Sequence, residues 1–307
     1  MSAALAGHVA DYLRLRRALG FKLARPGQVL PQFLAYLEAI GAQTVTVEAA
    51  IAWTRLSVGA QPVTLSHRLG AVRGFARYLA TIDPATEIPP CGLFGKQQRH
   101  VPYIYSAEQI TRLLAATRQL RPQLRAITYE TLLGLLVATG MRVGEALAMT
   151  VPDVDLDAGV LLLRHAKFDR DRLVPLHPSV TSTLADYICH RDRLAPTGRA
   201  NTLFVSGTGG PVSTNMVDVT FRSLLAPAGL PTPPGKRPRV HDLRHSFVVS
   251  TLIGWQRDGA DIADRLPVLS TYLGHVSPAS TYWYFSAVPE LMQLAAAGLD
   301  RRFGARS

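Results

Sequence analysis

The sequence predicts a mainly helical protein with a small antiparallel β-sheet, divided into two domains. Three observations carry this expectation. The 307 residues suffice for two domains that each bury a core of their own. Apolar residues recur at helical period through most of the chain, whereas only two short apolar runs flank a charged turn. Between residues 83 and 105 the periodicity stops, and Pro84, Pro89, Pro90, Pro102, Gly92 and Gly95 stand where a helix would otherwise continue.

Residues 1–82 read as four helices punctuated by Gly20, Gly41 and Gly59. Val9, Leu13 and Leu15, then Val29, Phe33, Leu34 and Leu37, supply apolar faces. The fourth helix, over about residues 63–81, carries Leu65, Leu69, Val72 and Phe75 on its apolar side and Arg68, Arg73 and Arg77 along its length. These arginines are either solvated or contacts to a DNA backbone. Residues 83–105 form the linker. Ser106 with Gln109 is a capping-box signature, so the second domain, 106–307, begins with a helix.

A longer apolar helix follows over about residues 124–139, ended by Gly140. The apolar runs 160–163 and 173–176 flank a turn containing Lys167, Asp169, Arg170 and Asp171, the pattern of a β-hairpin. Asp153, Asp155 and Asp157 alternate along a loop-to-strand segment and read as a solvated turn, not the clustered carboxylates of a metal-dependent nuclease. Helices return at about 178–194, 214–225, 241–253 and 278–286. The Gly-rich stretch from Ser206 to Gly210 lacks the spacing and the following Lys-Ser/Thr of a phosphate loop, and reads as a turn.

Charge narrows the function. Lys and Arg number 33 against 22 acidic residues, a net charge of +11, which suits a polyanionic partner such as nucleic acid. The surplus is uneven: in residues 91–125, Lys96, Arg99, Arg112, Arg118, Arg121 and Arg125 face Glu108 alone, and Lys236, Arg237 and Arg239 form a second group. The most apolar run, residues 132–139, falls far short of the roughly 20 residues of a membrane span, and no signal-peptide pattern opens the chain. Cys91 and Cys189 are too few and too far apart for a disulfide framework or a zinc site. A cytoplasmic protein is expected.

Three motifs can carry chemistry. In TGMRVGEAL, Arg142 and Glu145 lie three apart on a helix that starts near the Gly140 break, so they can share a face. Such a pair is either a surface ion pair or a guanidinium fork set beside backbone N–H groups to receive a phosphate. HDLRH places His241, Arg244 and His245 at i, i+3 and i+4, so three donors converge on one side of a helix. A cationic Arg between the two histidines argues against a metal. LGH supplies His275, and Tyr284 follows nine residues later in STYWYFS. With Ser277 as N-cap and Pro278 at the first helical position, Tyr282 and Tyr284 stand about 200° apart, so only one faces a given site.

Taken together and in this order, the motifs from Thr139 to Tyr284 resemble the tyrosine recombinases, also called the phage integrase family. The resemblance implies that Arg142 is the first catalytic arginine, supported by Glu145, and that Lys167 in HAKFDRDRLVPL, six positions before Leu173, is the family's hairpin lysine. It gives His241 and Arg244 catalytic roles with His245 as companion. It also selects His275 and the nucleophile Tyr284, leaving Tyr282 to packing. It further implies an N-terminal four-helix core-binding (SAM-like) domain and an α+β catalytic domain that close as a clamp around double-stranded DNA.

The implied reaction is site-specific recombination (integration, excision or transposition) by strand cleavage and rejoining through a covalent 3′-phosphotyrosine, with no cofactor and no metal. Candidate DNA contacts are Arg68, Arg73, Arg77, Lys96, Arg99, Lys236, Arg237 and Arg239. STYWYFSAVPELM resembles transposon-borne members that occur as clustered recombinase genes. Residues 288–303, with Leu291, Met292, Leu294 and Leu299 apolar, suit docking on a neighbouring subunit, hence a tetramer on paired sites, joined by other recombinases or accessory proteins. Two other readings use the same residues: DNA relaxation of the type IB topoisomerase kind, and a catalytically silent DNA-binding relative.

Overall fold

The computed structural model describes residues 2–94, 101–164, 171–196, 200–231 and 237–274. It divides the chain into two compact units, Met1–His100 and Val101–Ser307. Tyr282, the third motif's His275 and Tyr284, Lys167 and the segment 288–303 lie outside the described residues.

The first unit is built from α1 (Ser2–Ala18), α2 (Ala24–Ala39), α3 (Val47–Arg55) and α4 (Pro62–Leu79). Leu30, Phe33, Val72 and Phe75 are fully buried where α2 meets α4, and the Phe33 and Trp53 rings lie 5.1 Å apart between α2 and α3. Thr46 caps α3 by accepting from the Ala49 N–H at 3.1 Å. On α1, Val9, Tyr12 and Leu13 turn inward, and Leu15, expected on the apolar face, is exposed. The reason is the helical period: Leu15 is two residues from Leu13, about 200° around the axis. Residues 83–90 pack on this unit. Thr44 Oγ1 donates to Asp83, Glu87 N–H to the Val45 carbonyl at 2.8 Å, and Arg73 to the carbonyls of Pro89 and Pro90 at 2.8 and 2.7 Å.

The second unit opens with Tyr105, whose N–H donates to Ser246 Oγ at 2.8 Å and whose hydroxyl donates to the Arg239 carbonyl at 3.0 Å. Helix α5 (Ala107–Thr117) starts with both halves of the expected capping box between Ser106 and Gln109. Its neighbour α6 (Gln123–Thr139) buries Leu132, Leu133, Leu135 and Leu136, apolar around its whole circumference as befits a central helix. Around α6 pack α5, α8 (Pro178–Leu194) and α10 (Val240–Arg257). Gly140 ends α6 at φ 60°, and a Cβ there would overlap the Phe247 ring from α10. Then come α7 (Val143–Ala148), a single 3-10 turn at Val151–Asp153, and α9 (Thr214–Leu224) further on.

The sheet has the order β1-β2-β3, both pairs antiparallel, with β1 at Val154–Asp155, β2 at Val160–Leu163 and β3 at Arg172–Pro175. The hairpin pairs Leu161 with Val174 and Leu163 with Arg172. Asp153, expected in a solvated turn, is instead buried. Its carboxylate receives Arg164 Nε at 2.6 Å and the Thr150 N–H and hydroxyl at 2.8 and 2.7 Å, which ties the 3-10 turn to β2. Ser206 to Gly210 is a turn closed by the Ser206 N–H on the Gly210 carbonyl at 2.8 Å.

One helix has no counterpart in the sequence reading: α11 (Ile262–Leu273). Its Pro267 signals a break, yet Asp261 caps the start by accepting from Ala263 N–H at 2.8 Å, and Gly274 ends it at φ 64°. Leu266, Leu269 and Leu273 bury against Val248, Val249 and Leu252 of α10 and outweigh the lost backbone bond. Among the described residues no helix is long and apolar enough to cross a membrane.

Candidate active site

The site grows from the αL turn at Gly140, which redirects the chain so that Arg142 caps α7 and Glu145 sits in its first turn. Only Glu145 can act as acceptor in that cap, since a guanidinium carries donors alone. The Glu145 carboxylate receives the Arg142 N–H at 2.9 Å and Arg142 Nη1 at 2.8 Å. A third donor arrives from β3: Arg172 Nη2, at 2.8 Å. Arg142 Nη2 reaches the Gly274 carbonyl at 3.2 Å, so two of its five N–H groups are engaged among the described residues, and its side chain stays 32% exposed.

Arg244 enters from α10, almost wholly buried. Its Nη1 donates to the Gly140 carbonyl and its Nη2 to the Leu273 carbonyl, both at 2.7 Å. Two arginines from different helices therefore hold the carbonyls of Leu273 and Gly274 at the end of α11. That end carries the negative pole of the helix and unsatisfied acceptors, which favours cations there. Two guanidinium groups, Arg142 and Arg172, thus share one carboxylate while Arg244 holds the adjoining carbonyls, and the surplus positive charge suits the cluster to an anion.

The neighbouring groups are arranged by α10. Asp242 is fully buried and holds the Arg239 N–H at 2.9 Å and its Nη2 at 3.2 Å, fixing the start of the helix. The His241 and His245 rings lie 4.9 Å apart in a T-shaped arrangement, one turn apart on one face as their spacing predicts. His241 keeps an edge open to solvent, yet partial desolvation by the surrounding protein lowers its pKa below the usual imidazole value. The charges of Arg244, Arg239 and Arg142 act in the same direction and Asp242 opposes them. Among the described residues no three His, Cys, Asp or Glu side chains group so as to hold a metal ion.

Of the residues singled out in the sequence, Arg142, Glu145 and Arg244 meet at this cluster, with His241 and His245 on the adjoining face of α10. The residue following Gly274 in the chain is His275. Among the candidate DNA contacts, Arg77 and Arg237 are exposed, Arg73 is bound to two proline carbonyls, Arg239 pairs with Asp242, and the Arg68 guanidinium lies 3.9 Å over the Trp53 ring. Lys96, Arg99 and Lys236 lie outside the described residues. Sequence reasoning missed Arg172. The apolar run 173–176 began one residue after Arg172, and in the strand Leu173 is 66% exposed and Val174 buried, so the inward face of β3 is Arg172 and Val174.

Comparison with known proteins places the cluster inside a matched family region. The phage integrase family matches residues 104–290, more than half of the chain and all of the cluster. The protein y4rB of Sinorhizobium fredii, which bears the name integrase/recombinase, is 43% identical over 97% of this chain and 98% of its own. The tyrosine recombinase XerD of Caulobacter vibrioides is 28% identical over 74% of this chain and 71% of its own. Among solved structures, that of the Tn1549 transposon integrase in complex with transposon right end DNA aligns with a TM-score of 0.67 over 98% of this chain and 99% of that one. At 16% identity it is a likeness of fold. With a family match over residues 104–290 that contains the cluster, and with a relative aligned nearly end to end, the chain belongs to the phage integrase family, the tyrosine recombinases.

Proposed function

We propose that this chain recombines double-stranded DNA at specific sites by cutting and rejoining strands through a 3′-phosphotyrosine at Tyr284. The observation that carries the proposal is the cluster in which Arg142 and Arg244 are fixed by Glu145 and by the carbonyls of Gly140, Leu273 and Gly274. A phosphodiester under attack gathers negative charge on its nonbridging oxygens, and preorganised guanidinium groups stabilise that charge without moving.

In the proposed reaction the Tyr284 oxygen bonds to the scissile phosphorus and the bond to the 5′ oxygen breaks. The phenolic proton passes to His241, whose lowered pKa keeps the imidazole neutral and able to accept it. Lys167 protonates the departing 5′ hydroxyl, and His275 adds a hydrogen bond to the phosphate. A 5′ hydroxyl from a second strand then attacks the phosphotyrosine and reverses the step, so the bond energy is conserved and no cofactor is consumed. Exposed cations such as Arg77 and Arg237 bind the DNA backbone nonspecifically, residues 1–100 serve as a second DNA-binding domain, and four subunits assemble on paired sites in the cytoplasm.

The experiment is a single-turnover assay on DNA carrying the ends of the element that encodes the protein. Tyr284→Phe should bind that DNA as the unaltered protein does and form no covalent complex. Adduct formation at the normal yield by this variant would overturn the assignment of the nucleophile.

A further inference from the structure

Arg172 is the one guanidinium of the cluster to which the reaction above gives no task. Its side chain is only 14% exposed, and among the described residues it makes one ion pair, Nη2 to Glu145 Oε2 at 2.8 Å. Its Nε and Nη1 are buried and find no hydrogen-bond partner among the described residues. Desolvation, with Arg142 adding repulsion, pushes its pKa down against the pull of Glu145. A residue there for packing alone would be better replaced by an apolar side chain, because buried unpaired donors are costly.

What Arg172 touches explains its presence. Arg142 is held by two groups, the Glu145 carboxylate and the Gly274 carbonyl. Arg172 contacts both of those anchors. It bonds Glu145 directly, and its Nη1 lies so close over Gly274 that any side chain at 274 would overlap it. Without Arg172, the Glu145 carboxylate would be held only by Arg142, its i,i+3 neighbour on the same six-residue helix, with no tie to β3. With it, the pair is tied to β3 and to the end of α11.

We infer that Arg172 is a positioning residue of the DNA-cleaving site, holding Glu145 and Gly274 so that the Arg142 guanidinium meets the scissile phosphate in one fixed orientation. This rests on the assignment of Arg142 to the phosphate.

The test uses the full chain with Arg172→Met, which keeps the stem and removes the charge, and Arg172→Lys, which can still reach Glu145. Arg172→Met should bind DNA as before and cleave about 10- to 100-fold more slowly, the range expected when a reacting group is misplaced by a fraction of an ångström to an ångström. Arg172→Lys should recover part of that loss. In a Glu145→Gln background, Arg172→Met should add nothing, because both act through Arg142. Cleavage by Arg172→Met at the normal rate, or losses that multiply in the double variant, would overturn the inference. Should Arg172→Met fail to fold, the same two comparisons with Arg172→Lys decide it. A nitrogen-15 NMR measurement of rotation about the Arg142 Nε–Cζ bond separates this inference from the proposed chemistry. Faster rotation in the variant supports positioning even if the unaltered protein cleaves no DNA, and unchanged rotation refutes it.

Discussion

The two units of the chain use arginine in opposite ways. In residues 1–100, Arg73 gives its donors to two proline carbonyls and Arg68 lies flat on Trp53, so each rests on neutral groups close at hand. In residues 101–307, Arg142 and Arg172 share one carboxylate and, with Arg244, gather at the end of one helix, with like charges held near one another. The first arrangement lowers the energy of the folded protein as it stands. The second leaves positive charge incompletely balanced, the arrangement expected of a site that waits for an anion.

The largest expected difference is in rate. Arg142→Ala should slow DNA cleavage by about 100- to 1,000-fold, roughly 2.7–4 kcal/mol of transition-state stabilisation. Arg73→Ala should leave the cleavage rate of bound DNA within about twofold and cost about 1 kcal/mol of stability, the loss of part-exposed hydrogen bonds. Equal rate losses in the two variants would erase the contrast between the units.

A second comparison concerns stability. Gly41 and Gly140 both end helices at positive φ, 69° and 60°, but nothing lies near a Cβ at Gly41 whereas the Phe247 ring occupies that space at Gly140. Gly41→Ala should cost about 1–2 kcal/mol from the left-handed backbone alone. Gly140→Ala should cost about 1–3 kcal/mol more, from overpacking, in urea unfolding of the full chain. Equal losses would mean that Phe247 moves aside without penalty.

The smallest effect is the field of the cluster at His241. A proton NMR titration should find its midpoint below the ordinary value of about 6.5. Because the unfolded chain then takes up this proton first, His241 contributes stability that is complete above that value and is lost as the pH falls through the lower, folded one. A midpoint at or above 6.5 would contradict the charge arrangement around α10.

Much of the site was legible because its determinants are local. The spacing of Arg142 to Glu145 and of His241 to Arg244 and His245 follows from helical period, and the break at Gly140 and the cap at Ser106 are single-residue signals. What escaped depends on which side of an element meets another. An apolar run starting at Leu173 does not say which face of β3 turns inward, and the burial of Val174, paired with Leu161, puts Arg172 on that face. Helix α11 was not assigned from the sequence, and its stability comes from Leu266, Leu269 and Leu273 packing on Val248, Val249 and Leu252 of α10. Asp153 was misread for the same reason: its partner Arg164 stands eleven positions away, on the far side of β2.

The arginines of the cluster grip main-chain oxygens at Gly140, Leu273 and Gly274 rather than side chains. Carbonyls are present whatever residue occupies a position, so substitution at Leu273 leaves the acceptor in place, whereas Gly140 and Gly274 are held to glycine by their positive φ and by the Phe247 and Arg172 side chains above them. The exposed side chains of α11 can therefore change without moving these acceptors, while the length of the helix, which sets where its last carbonyls fall, cannot.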